Sequence, residues 1–306
     1  MRTRTVKAVE CLSFALLVCA WAQPAPAAEA LVVRSSSLKA YDSALAGLRD
    51  SWTDPLEVVT LPAAGEDPKP LAARIRASAP RVILALGPQA AAFAAEELAE
   101  LPRVLCMAGP WNARRDRRTA TVANDPLPAS QLAAYRLVLP GLKRLATVYH
   151  PGTTGAFVER ARTAAAELGL ELIALPVGSK KDVPAALQRA FERGEAVWLL
   201  RDTVVVSKVL LEQALLLQVE QQKPVLVYAE QFVKSGALAA FTSSYKDQGR
   251  EAARLARQIL DGADPASLPE REARSALWVN VKTATQLHLG LPDGLGSRPD
   301  VKLLSP

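Results

Sequence analysis

Alternation constrains this chain more than any other feature. Short apolar runs recur at 30–34, 56–61, 81–86, 103–107, 145–150, 170–177, 196–200, 224–228 and 238–242. Between them lie Ala/Leu-rich stretches with helical spacing at 38–48, 70–78, 89–99, 130–139, 154–168, 183–193, 205–222 and 246–260. Nearly continuous apolar strands are what a sheet covered by helices on both faces requires. Strand alternating with helix gives βαβ units, a parallel sheet and right-handed crossovers. The rhythm breaks once, where the extended segment 119–124 runs into the Pro-rich connection Asp125-Pro126-Leu127-Pro128. A second βαβ series then starts at Leu145. Two half-sized series joined by an extended break predict an α/β chain of two doubly wound, Rossmann-like lobes. A single eight-stranded barrel has a similar strand count but would not need that break.

The first residues set the compartment. Arg2, Arg4 and Lys7 precede an apolar run over 11–22, and Ala25-Pro26-Ala27 supplies the small residues a signal peptidase reads. That order predicts a secretory signal peptide over 1–27 and a mature chain beginning near Ala28. The run is shorter than the ~20 residues a bilayer span needs. Lipid anchoring through Cys19 is the less favoured alternative, because Val18 stands where such sites carry Gly, Ala or Ser. Of three cysteines only Cys106 lies outside the leader, within an apolar run that suits a buried thiol. A net charge of +6 over 306 residues is too mild to predict a nucleic-acid partner. The one basic knot, Arg114-Arg115-Asp116-Arg117-Arg118, reads as a solvated loop, with an anionic partner as the alternative.

In open parallel sheets ligands collect beyond the carboxyl ends of the strands, so the residues that follow each strand are the candidates. In the first series these are Ser35, Ser36 and Ser37, then Gln89 after Gly87-Pro88, then Gly109 and Trp111. The serines either cap the next helix or donate to a polar group held at its N-terminus. Trp111 is either a lid over an apolar edge or a stacking platform. In the second series the candidates are His150, Thr153, Asp202 and Glu230, with Ser243 and Tyr245 near the return to the first lobe. Asp202 or Glu230 could take a ligand amine, or Asp202 could simply cap a helix. Phosphate loops, dinucleotide fingerprints, nucleophile elbows and zinc-helix motifs are absent from the sequence. With two distant histidines and one mature cysteine, no metal or cofactor is expected.

Several segments, in order, resemble one bacterial family. Residues 81–91, RVILALGPQAA, are similar to its "LALGTPAA" strand, loop and helix, and 139–151, LPGLKRLATVYHP, to its "LPGAKRVGVLYNP". Further matches lie at 182–187, 202–205 and 223–225, and 230–240, EQFVKSGALAA, resembles "ESLVKAGALAA". Residues 245–260 resemble the helix "YYELGRQAAEMALRIL", and 279–284 the start of "VNLKTAKAL". The family is the substrate-binding components of ABC transporters, in the subgroup related to tryptophan- and tyrosine-type binding proteins. Gly87-Pro88-Gln89, Gly109-Pro110-Trp111 and Tyr149-His150-Pro151 depart from its Gly-Thr-Pro, Gly-Asp-Pro and Tyr-Asn-Pro.

The resemblance implies a type I periplasmic binding fold, with a hinge of three crossovers and a central cleft. Lobe one would hold 28–125 and 243–272, and lobe two 126–242 and 273–306. It also implies a monomeric periplasmic binding protein, not an enzyme, that passes a small molecule to an ABC permease in the inner membrane. Combined with the loop residues, the cargo expected is an amino acid or similar zwitterion. An exported sensor signalling to a membrane receptor, or an exported α/β hydrolase, are the alternatives.

Overall fold

In the computed structural model, which describes residues 29–109 and 116–305, the chain forms two sheets. The first is built from β1 (Ala30–Arg34), α1 (Lys39–Asp50), β2 (Leu56–Thr60), α2 (Lys69–Ser78), β3 (Val82–Leu86), α3 (Pro88–Glu97), β4 (Arg103–Cys106) and β5 (Thr119–Thr121). Its order is β2-β1-β3-β4-β5, and every pairing is parallel. Central β3 is VILAL with every residue buried, as helices on both faces demand. Beneath one face lie Ile75, Phe93 and Leu98 from the α2 and α3 region.

The second sheet follows through α4 (Pro128–Val138), β6 (Arg144–Tyr149), α5 (Pro151–Glu167), β7 (Glu171–Pro176), α6 (Val183–Arg193), β8 (Ala196–Trp198), α7 (Lys208–Glu220), β9 (Val225–Val227), α8 (Glu230–Lys234) and β10 (Ala239–Ser243). Helix α9 (Tyr245–Leu260) intervenes before β11 (Ser275–Asn280), α10 (Val281–Gln286) and β12 (Val301–Leu304). The order is β12-β11-β10-β9-β8-β6-β7. Here the reading of the sequence is corrected: β11 runs antiparallel to β10, and neither β11 nor β12 stood among the expected strands. Buried Trp198 packs edge-on against Tyr135 at 6.0 Å and against Phe157 at 5.7 Å, which joins α4 and α5 to the sheet.

Helix α9 returns to the first sheet. Ala252, Leu255, Ala256 and Ile259 enter the core beside Val32, Leu84 and Val104. Against α1 the backbones nearly touch: a Cβ on Gly47 would lie 1.8 Å from the Lys246 carbonyl oxygen, and one on Gly249 1.8 Å from that of Ala44. Only glycine fits that seam.

The chain therefore passes between the sheets three times: after β5, between β10 and α9, and between α9 and β11. These crossovers bond to one another. Val122 bridges Arg271, and the Ala123 N–H donates to the Arg271 carbonyl at 2.8 Å. Gln248 Nε2 donates to the Asn124 carbonyl at 2.9 Å and to Ser243 Oγ at 3.0 Å. The Glu272 carboxylate accepts from the Leu127 N–H at 2.9 Å and the Ser130 hydroxyl at 2.8 Å.

The leader lies outside the described residues, as do Trp111, Arg114 and Arg115. Asp116 of the basic knot pairs with Arg103, a buried guanidinium that also donates to the carbonyls of Ala94 and Leu98, and so ties the approach to β5 to the first sheet. Burial works against ionisation of Asp116, but its bonds to Thr119, Arg118 and Arg103 hold its pKa below the usual carboxylate range.

Candidate functional site

The strands of both sheets end on a shared cavity of about 300 Å³. Its first wall comes from residues just beyond β3, β4 and β5: Pro88, Gly109 and Val122. Gly87, at φ +98°, makes the turn before α3, where a Cβ would strike Ser35 Oγ and Tyr41 Oη, both at 2.5 Å. The second wall comes from the first turns of α5 and from the residues after β8 and β9: Thr153, Thr154, Phe157, Leu200, Arg201 and Tyr228. Asn124 and Asp125 of the first crossover close the hinge side.

The charged centre of the wall is a pair. Arg201 Nε donates to both Asp125 carboxylate oxygens, at 2.9 and 3.0 Å, and Arg201 Nη2 lies 2.9 Å from Asp125 Oδ1. The guanidinium stacks over the Tyr228 ring at 4.5 Å, a cation–π contact. Burial alone would lower the Arg201 pKa, but Asp125 outweighs it and holds the guanidinium above its ordinary value. Burial pushes the Tyr228 phenol up, against the pull of Arg201. Beyond the pair most of the wall's surface is apolar, and the other charged residue on it, Glu270, is paired with Arg160 at 3.1 Å.

Of the residues expected from the sequence, Gly109 and Thr153 stand on this wall. Asp202 is not open to a ligand amine. It is 2% exposed, and its carboxylate accepts from the N–H groups of His150 at 2.8 Å, Val204 at 2.9 Å and Val205 at 3.1 Å. The hydroxyls of Thr153 at 2.7 Å and Thr154 at 2.6 Å fill the rest. Burial would raise the Asp202 pKa, but the bonds from Thr154, His150 and Thr153 prevail and lower it. Asp202 thus welds the loop after β8 to the start of α5. Glu230 opens α8, pairs with Lys234 and does not line the cavity.

His150 precedes α5 but is off the wall, its Nδ1 buried without a partner among the described residues. Ser35 Oγ accepts the Ala90 N–H at 2.9 Å and so serves the N-terminus of α3, while α1 has Leu38 as its N-cap and no side-chain cap. Ser36 is half-buried, Ser37 and Gln89 are exposed, and none of the three lines the cavity. Ser243 is engaged by Gln248 at the second crossover. Tyr245, at the start of α9, lies within electrostatic reach of Arg201. Sequence reasoning passed over Arg201, Tyr228, Asp125 and Phe157. Tyr228 follows β9 directly and Arg201 stands just beyond β8 after Leu199 and Leu200, so the rule that singled out Asp202 and Glu230 pointed one or two residues away. Among the described residues no group of three or more His, Cys, Asp and Glu side chains could hold a metal ion. No described helix is long and apolar enough to cross a membrane.

A family described as "ABC transporter substrate binding protein" matches residues 29–302. The chain belongs to this family. Its members are non-catalytic, transport-associated proteins that bind solutes, typically outside the cytoplasm. Among solved structures, the ABC domain from Streptococcus pneumoniae in complex with L-Trp shares 17% identity and a TM-score of 0.60, over 90% of this chain and 100% of that one. The ligand-free, open structure of a substrate-binding protein with adhesive properties from Clostridium difficile shares 14% identity and a TM-score of 0.67, over 90% and 98%. A conserved domain protein from Vibrio cholerae shares 21% identity and a TM-score of 0.57, over 90% and 100%. The architecture is that of the type I periplasmic binding proteins. No curated protein matches the chain.

Proposed function

We propose that this family member captures one small molecule between its lobes in the periplasm and delivers it to an ABC permease in the inner membrane. The leader over 1–27 would direct export, and the mature protein would act as a monomer. Lobe one would comprise 28–125 with 243–272, and lobe two 126–242 with 273–306. The observation that carries the reading is the cavity itself: about 300 Å³, walled from both sheets and closed at the crossovers, the small end of the range for small-molecule sites. A ligand touching both walls favours the closed arrangement through its differential contacts.

The cargo is an amino acid or similar zwitterion. Asp202 and Glu230 do not serve its amine, and this role passes to Asp125, with Arg201 for the carboxylate and Phe157, Val122 and Tyr228 around the apolar part. Native mass spectrometry of the exported protein tests capture directly. The expected spectrum shows a mature chain starting near Ala28, without acylation of Cys19 and with a small molecule of amino-acid size bound. Scattering should then give a smaller radius of gyration with cargo than without. A protein that binds no amino acid and keeps one scattering profile throughout overturns the reading.

A further inference from the structure

Arg201 and Asp125 form a hydrogen-bonded dipole on the cavity wall, and neither group is exhausted by the other. Arginine carries five N–H donors and a carboxylate about four lone-pair sites. The pair uses the Arg201 Nε edge and one Nη2 contact. The remaining Arg201 donors meet no acceptor among the described residues, and Tyr228 fixes the plane of the guanidinium from one face. Asp125 is anchored on the first crossover, one residue from the Asn124 carbonyl that Gln248 holds.

We propose that this pair is the specificity determinant of the site and reads its cargo as a dipole, an inference that rests on the capture function above. A cargo carboxylate docks on the outward N–H groups of Arg201, and a cargo ammonium on the outward lone pairs of Asp125. The four charges then alternate around a ring without the protein pair breaking. A cargo with only one charge fares worse than either charge alone would suggest. An anion gains Arg201 but is repelled by Asp125, and a cation gains Asp125 but is repelled by Arg201. A neutral isostere leaves the outward donors and acceptors unpaired beneath it. The pair thus selects for net-neutral molecules of opposed charges.

The test is binding by calorimetry, using whichever of the twenty amino acids most stabilises the wild type in a melting screen. Its α-amide serves as the cation and its N-acetyl derivative as the anion. In the wild type both derivatives should bind about 100-fold more weakly than the amino acid. In Asp125→Asn the N-acetyl derivative should overtake the amide, and in Arg201→Gln the amide should overtake the N-acetyl derivative. A merely structural role for either residue would weaken all three compounds together and could not invert their order. If both variants, melting as cooperatively as the wild type, retain its ranking, the dipole proposal falls while amino-acid capture stands. If none of the twenty amino acids binds the wild type, both fall.

Discussion

Replacing Asp202 by Asn keeps the volume and removes the charge, so its effect measures what the carboxylate does. On the Oδ1 side the amide oxygen can still accept from Val204 and Val205, but those bonds cease to be charge-assisted, at a cost of about 0.5–1 kcal/mol each. On the Oδ2 side an NH₂ group would face three donors. The Thr153 and Thr154 hydroxyls can turn and accept from it. The His150 N–H cannot, and a stranded buried N–H costs about 1–3 kcal/mol. The expected destabilisation is therefore about 2–5 kcal/mol, read as a lower urea midpoint at pH 7 without cargo. The penalty should shrink in acid. The folded pKa of Asp202 lies below its unfolded value, so its contribution is present above the ordinary carboxylate range and is lost as the pH falls through the folded value. A variant that unfolds within about 0.5 kcal/mol of the wild type yet fails to bind cargo would refute this reasoning and return Asp202 to the role of a ligand contact.

Two further outcomes follow from the fold. Gly249→Ala places a methyl group 1.8 Å from the Ala44 carbonyl oxygen, so α1 and α9 must separate; about 3 kcal/mol, or a fall of roughly 6–12 °C in Tm, is expected, and a melt unchanged from the wild type refutes the close seam. Burial raises the Glu272 pKa above its ordinary value of 4.5 despite the bonds from Ser130 and Leu127. The folded state therefore holds that proton more tightly. Its contribution is full below the ordinary carboxylate pKa and is lost as the pH rises through the folded value. Glu272→Gln should remove that part of the pH dependence and raise Tm at pH 7 by roughly 1–3 °C; a variant melting lower at pH 7 and preserving the wild-type pH profile contradicts it.

How far the sequence could be read depended on the kind of contact that each element makes. Strands covered on both faces, such as β3 with its five buried apolar residues, announce themselves without partners. Strand β11 does not, because Ser275–Asn280 buries only Leu277 and Val279 fully and reads as a weak alternation near one edge of the sheet. Strand β12, four residues at that edge with two exposed, carries still less signal. Glycines 47 and 249 look like weak points in two helices until the helices are seen to cross there. At the site, an acid after a strand looked the same whether it faced a ligand or the backbone. His150, Thr153 and Thr154, which bind Asp202, lie about fifty residues earlier in the chain and share no local pattern with it.

In the function proposed above, the Arg201–Asp125 pair works through its position in the fold more than through residue type. Its members are 76 residues apart in the sequence, one on the first crossover and the other beyond β8. Asp125 sits on the crossovers, which are tied together through Val122 with Arg271 and through Gln248 with Asn124 and Ser243. Arg201 rides on the loop after β8, which Asp202 fastens to α5 in the second lobe. If that lobe turns about the crossovers, the distance between the two charges changes with it. On the recognition proposed above, a cargo that completes the ring gains both contacts only where Arg201 and Asp125 are close, so the same two residues would also supply the differential binding that favours one lobe arrangement. A single acid buried in one lobe, the role Asp202 was expected to fill, could hold an amine but could not register where the other body stands.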